Sequence, residues 1–294
     1  MSEEREQKTL APSELTSLVD SHTPVETLRL AETAGVAKAR LSWIDLSIKS
    51  FIAGVFISLG AGFDILIAGG SPGLRQSNPS MATLISALTF PIGFVLIILT
   101  NMELCTSNMF VMPYATLRRR ISIYDMARNL IVSYIFNIAG CLFYAGILFY
   151  WADVLTTEAQ TSYAVTQAQG RVNANWGYNV SKGIMCNWLV ALAFFFSTQG
   201  RDNLSKIIGI WVTIATFVAL GYQHSIANFF LVPIGMFYGT NFGTGKFIWA
   251  SVIPVTIGNL IGGAFFGSFA MWMVYGRHEP SVKERQDDRP ASKV

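Results

Sequence analysis

The chain has 294 residues, 52% of them hydrophobic and only 13% Asp, Glu, Lys or Arg, with a formal net charge of +3. A mean hydropathy of +0.43 and a charged share about half the usual ~25% exclude a soluble globule. The same apolar content excludes a disordered chain, so lipid is the solvent for most of it.

The polar, acid-rich start (Ser2, Glu3, Glu4, Glu6) has no secretory character, so the first apolar segment is expected to act as an internal signal. Residues 1–15 and 279–294 read as mobile tails. Residues 25–40 are amphipathic: Leu28, Leu30, Ala31, Ala34 and Val36 alternate with Glu26, Arg29, Glu32, Lys38 and Arg40. That pattern fits a helix lying in the inner membrane interface or a solvated one, and both readings stay open.

A bilayer core of ~30 Å needs about 20 apolar residues per helix. Six segments qualify, at 44–69, 81–116, 122–151, 178–199, 206–239 and 247–275. The expected organisation is an N-terminal tail with the amphipathic helix over 1–43, one six-helix transport domain over 44–276, and a tail over 277–294. Six spans put both termini on one side. Seventeen of the 21 basic residues fall in the termini and the 117–128 and 200–206 loops. By the positive-inside rule those regions are cytoplasmic, in a multi-pass protein expected in the plasma membrane. This clustering suits alternating loops rather than a nucleic-acid patch. Cys105, Cys141 and Cys186 lie in apolar surroundings without metal or redox spacing and read as buried small residues. No cofactor or metal is expected.

The second and fifth segments are too long for straight spans and carry polar interruptions. One runs over 100–108 (TNMELCTSN), the other over 221–228 (GYQHSIAN). Non-helical backbone at membrane depth is tolerated only when it is buried in protein or lines a wet cavity. Two such breaks at matching places in two halves predict an inverted repeat of three plus three helices with a transport site between them. Small echoes support the pairing: Lys49 and Lys182 near the starts of the first and fourth helices, and Asn137-Ile-Ala-Gly140 against Asn259-Leu-Ile-Gly262.

His224 is the only histidine in a predicted span, and an intramembrane ionisable residue is a functional candidate by default. With Thr106 across the axis, it could donate a hydrogen bond or a proton to a small anion. Lys49 and Lys182 would sit near opposite mouths and concentrate anions there. Glu103 suits a structural acceptor for loop amides or helix N-termini. Asn108, Asn187 and Asn228 suit fixing the breaks by hydrogen bonds to freed backbone. Phe90, Phe94 and Phe217 are candidate constrictions. Gly54, Ser58 and Gly62, with Gly258, Gly262, Gly263 and Gly267, allow close helix contact. Asn179-Val-Ser181 matches a glycosylation sequon at a span end and is read as a chance match.

Four motifs carry a family resemblance. LTNMELCTSN at 99–108, KGIMCNWLVALA at 182–193, HSIANFFLVPIG at 224–235 and IPVTIGNLIGGAFF at 253–266 resemble, in order, the signatures of the formate/nitrite transporter family. The resemblance covers about residues 25–275 and looks most like the fungal nitrite-transporter (NitA) branch. It implies an all-α, aquaporin-like protomer in a homopentamer, with one pore per protomer for nitrite, formate or hydrosulfide, or their acids with protons. It further implies that His224 is the central histidine, Thr106 the loop threonine, Asn187 and Asn228 the pore asparagines, and Lys49 and Lys182 the mouth lysines. Phe90, Phe94, Val190 and Phe217 fall on its apolar constrictions. Asn101 and Met102 depart from it, standing where Gly and Ala are usual.

The competing readings are a neutral-solute channel and a membrane enzyme using His224 and Glu103. The first would carry Asn-Pro-Ala in its breaks, whereas this chain has only Asn78-Pro79-Ser80, outside them. The second lacks a nucleophile–base motif.

Overall fold

Local capping sets where most helices start. The computed structural model describes residues 21–277, so the tails expected over 1–15 and 279–294 lie outside the described residues. Thr23 and Glu26 form a reciprocal capping box that opens α1 (Pro24–Ala39). Ser42 accepts from Asp45 N–H at the start of α2 (Trp43–Gly69). After a short turn, Pro72–Ser77, come α3 (Pro79–Leu99) and α4 (Cys105–Leu117). Ser122 with Asp125 opens α5 (Ile123–Tyr150), and Thr157 with Gln160 opens α6 (Glu158–Val172). Asn175 caps α7 (Trp176–Gln199), and Asp202 caps α8 (Asn203–Ala219). Then follow α9 (Ser225–Phe237) and α10 (Thr244–Gly276), the latter interrupted by π-helical turns.

Among the described residues, α2, α3, α5, α7 and α10 are each long and apolar enough to cross a membrane, which makes the chain an all-helical multi-pass membrane protein. The six segments expected from the sequence correspond to these five helices plus a divided fifth. The stretch at 206–239 is split into α8 and α9, each too short to span alone. The stretch at 81–116 is split into α3 and α4 around residues 100–104.

Glycines bring the long helices together. A Cβ on Gly140 of α5 would collide with the carbonyl of Phe51 on α2, and one on Gly262 of α10 with the carbonyl of Ile184 on α7. The amphipathic helix α1 is not spent on lipid or water. Leu28 and Ala31 are buried against Phe110, Val111 and Tyr114 of α4 and against Phe194 and Phe195 of α7. Its polar face is tied down as well: Glu32 pairs with Arg118 at 3.0 Å and Arg120 at 2.7 Å, and Arg128 donates to the carbonyls of Ala39 and Leu41. The basic 117–128 loop is therefore anchored on α1.

Candidate functional site

The half-helices α4 and α9 begin inside the protein, where their first amides have no intrahelical partner and no water. Asparagines from neighbouring helices supply the acceptors. Cys105 N–H donates to Asn137 Oδ1 of α5 at 2.8 Å, and Ser225 N–H donates to Asn259 Oδ1 of α10 at 2.8 Å. Each asparagine then uses its NH2 group on two carbonyls. Asn137 Nδ2 donates to Ser50 O and Glu103 O, and Asn259 Nδ2 donates to Gly183 O and Gln223 O. The Glu103 amide reaches Lys49 O at 3.4 Å, and the Gln223 amide reaches Lys182 O at 3.4 Å. The Asn137/Asn259 echo in the sequence is thus the pair of pins that hold the two breaks. Asn101 (φ 55°) and Gly221 (φ 65°) take matching left-handed positions in them. Asparagine tolerates that conformation, which lets Asn101 stand in the first break where Gly221 stands in the second.

The two breaks meet at one hydrogen bond. His224, 2% exposed, is the N-cap of α9, and its Nδ1 accepts from Ala227 N–H at 3.0 Å. A neutral ring with Nδ1 as acceptor carries its proton on Nε2. Nε2 therefore donates to Thr106 Oγ1, 2.9 Å away and fully buried in the first turn of α4. Phe217 stacks on the imidazole with ring centroids 6.0 Å apart. Phe90 meets Phe217 edge-on at 5.7 Å. Phe90, Phe94, Val190 and Phe217 all belong to one buried apolar cluster.

Of the three asparagines expected to bond freed backbone, only Asn187 does so; Asn108 and Asn228 donate to side chains, because the break carbonyls are already taken by Asn137 and Asn259. Asn187 Nδ2 donates to Thr106 O at 3.1 Å and Asn259 O at 2.7 Å, tying α4 to α10. Asn228 Nδ2 donates to Gln223 Oε1 and Ser251 Oγ. Asn108 Nδ2 donates to Glu103 Oε2 and Asn129 Oδ1. Glu103, 1% exposed, also accepts from Lys38 Nζ of α1 at 2.7 Å. Its main partner is thus a lysine and not the loop amides expected from the sequence. Asn179 of the sequon is fully buried, with its amide donating to the carbonyls of Arg171 and Ala250, so it offers nothing to a glycosyltransferase.

A cavity borders each break. The first, about 470 Å³, is lined by Asn101, Met102 and Ser107 of the first break and its flank, with Lys38, Arg201 and Lys206. The second, about 350 Å³, is lined by Gly221 of the second break, with Asp64, Ser86, Arg75, Tyr163 and Arg171. Neither is lined by His224, Thr106 or the four constriction residues. Lys49 and Lys182 are half-buried and line neither cavity; the basic lining comes from Arg75, Arg171, Arg201 and Lys206, with Lys38 already paired to Glu103. Asn137, Asn259, Lys38, Arg171, Gln223 and Asp64 belong to the site although no motif in the sequence assigns them to it. The asparagine echo and a lone Asp in an apolar run were the available signals.

A cavity with basic lining borders each break, and a buried His–Thr contact beside an aromatic cluster joins the two broken helices of an all-helical membrane protein. The formate/nitrite transporter family model matches residues 25–273, and the chain belongs to the formate/nitrite transporter family. It is similar to the uncharacterized transporter YrhG of Bacillus subtilis (36% identity, covering 89% of this chain and 96% of the relative). It is also similar to the formate channel BtFdhC of Bacillus thuringiensis (31% identity, 89% and 99%). In fold it matches a solved structure described as a pentameric formate channel with formate bound, at a TM-score of 0.69 and 24% identity over 79% of this chain and 97% of that one. The chain is accordingly a transporter of small anions.

Proposed function

We propose that this protein carries nitrite, or a closely related monovalent anion such as formate or hydrosulfide, through one pore per protomer of a homopentamer. The observation that carries the reading is the Thr106–His224 contact, which joins the two breaks inside the apolar layer. The matching hydrogen bonds of Asn137 and Asn259 support an aquaporin-like inverted repeat of three plus three helices. Nitrite comes first on the strength of the motif resemblance to the fungal nitrite-transporter branch. Formate is the substrate named for the Bacillus thuringiensis relative, and the pentamer follows the assembly named for the solved structure. The distribution of basic residues supports cytoplasmic termini and a plasma-membrane location.

In this reading the cationic cavities gather the anion, with Lys49 and Lys182 adding to the field at the mouths. Phe90, Phe94, Val190 and Phe217 make passage of a bare charge costly. The cost falls where donors wait in fixed positions: the Nε2–H of His224 and the Thr106 hydroxyl it orients. Asn187 holds the backbone carbonyl of Thr106, and Asn228 holds the Gln223 side chain beside His224. A second proton on the imidazole would have to displace the Ala227 amide from Nδ1 and uncap α9. His224 therefore works as a hydrogen-bond donor, and a proton that accompanies the anion has another source.

Flux in proteoliposomes across nitrite, formate, acetate and nitrate, with pH recorded, tests the reading. We expect nitrite or formate to lead and acetate to trail. Stopped-flow water permeability in the absence of any anion flux would support a neutral-solute channel instead.

A further inference from the structure

Asp64 of α2 is the one acidic side chain among the described residues lining either cavity. It is 7% exposed, its carboxylate accepts a hydrogen bond from Ser86 Oγ of α3, and it forms no ion pair among the described residues. The cations of the same cavity contact neutral groups, which leaves their charges uncompensated there. Arg75 lies over the Tyr163 ring, 4.5 Å from its centroid, and Arg171 donates to Gln167, Gln223 and Asn228. Tyr163 and Arg171 come from α6 and Arg75 from the 72–77 turn; α5 and α9, also packed on α2, add no ionisable group to the lining. The lining includes Val218, next in sequence to Phe217.

A buried carboxyl without an ion-pair partner does little for stability, and an ionised one in an anion's path repels the anion. Its placement makes sense if it carries a proton. With the proton on, two guanidinium groups are left to attract the anion. With the proton off, one of them is offset. Because His224 has both ring nitrogens committed, the cavity beside the second break is where a proton can be handed over. We propose that Asp64 is the proton-loading residue of this cavity. Its O–H bond breaks as an O–H bond forms on an oxygen of nitrite or formate held by Arg171 and Arg75. The neutral acid enters the aromatic layer, and the Asp64 carboxylate takes a proton back from hydronium on its own side, leaving water, so one proton is consumed there per anion carried. This inference rests on the anion-transport reading above and supplies its proton source.

The test is nitrite and formate flux by the full chain in proteoliposomes containing a pH dye, with pH stepped on each face in turn. Asp64→Asn is expected to slow flux about tenfold, less than loss of a general acid with no substitute because water can serve in its place. It is also expected to flatten the dependence on pH at one face, while Asp64→Glu restores both. Ser86→Ala, which keeps the carboxyl but removes its hydrogen-bond donor, is expected to displace the midpoint of the pH profile. Wild-type rate and profile in Asp64→Asn overturn the proposal. So does a slowed variant that keeps the wild-type profile, or one that Asp64→Glu does not rescue, since both mark a packing role. An unmoved midpoint in Ser86→Ala also counts against it. Absence of nitrite and formate flux in the wild type overturns the anion-transport reading itself, which separates the two failures.

Discussion

At the first break, Lys38 donates to Glu103, which accepts in turn from Asn108. At the second, Arg171 donates to Gln223, which accepts in turn from Asn228. The positions correspond, and so do the asparagine pins behind them. The chemistry does not. The first set is a buried ion pair whose two charges cancel. The second places a neutral amide where the carboxylate would be and leaves the Arg171 charge to the cavity. One break is therefore held by a compensated ion pair in a low-dielectric setting, while the other is held by a guanidinium bonded to neutral amides, whose charge Gln223 does not cancel.

The largest effect is expected from breaking the charged set. Glu103→Gln strands Lys38, whose side chain is only 9% exposed. Removing one partner of a buried pair costs about 3–5 kcal/mol, so the variant should unfold at distinctly lower temperature in detergent. Lys38→Met together with Glu103→Gln should recover much of that loss. Making the second break resemble the first is the converse change. Gln223→Glu places a carboxylate beside Arg171 and offsets its charge. Thermal stability should hold or rise slightly, whereas anion flux at low concentration should drop about fivefold, within the range of electrostatic steering. The smallest effects are expected at Lys49 and Lys182, which line neither cavity. Replacing each by Ala should weaken uptake by about twofold, chiefly at low substrate, and salt should erase the difference. Equal loss at all concentrations would assign them a structural part.

Much of this was legible because a membrane makes polar residues conspicuous. Asn101, Glu103, Ser107 and Asn108 in one apolar stretch, and Gln223, His224 and Asn228 in another, could only mark interrupted helices. Thr106 and His224 were paired from the breaks alone, and the structure brings them to 2.9 Å. Partners far apart in sequence were not legible. Lys38 and Glu103 are 65 residues apart, and nothing in the amphipathic pattern of α1 says that its last turn reaches a helix break. The same pattern suggested a membrane or solvent contact because periodicity reports an apolar face without naming what covers it. Lys49 and Lys182 were chosen for their symmetric placement. That symmetry is real in the backbone, where both carbonyls accept from a break amide, but it does not carry their side chains into the cavities. Asp64 is not legible in the sequence, because one acid in a long apolar run gives no spacing that points to a role.

The central claim is that a small anion passes the dry layer by way of the Thr106–His224 contact. The direct measurement is nitrite and formate flux by His224→Asn and His224→Phe in proteoliposomes. Asn can still cap α9, and Phe can still stack on Phe217, so both should fold, but neither presents an Nε2–H to Thr106. The account predicts that both lose flux on the order of 100-fold, the scale of removing one preorganised donor. Wild-type flux in both variants, for both anions, would contradict it.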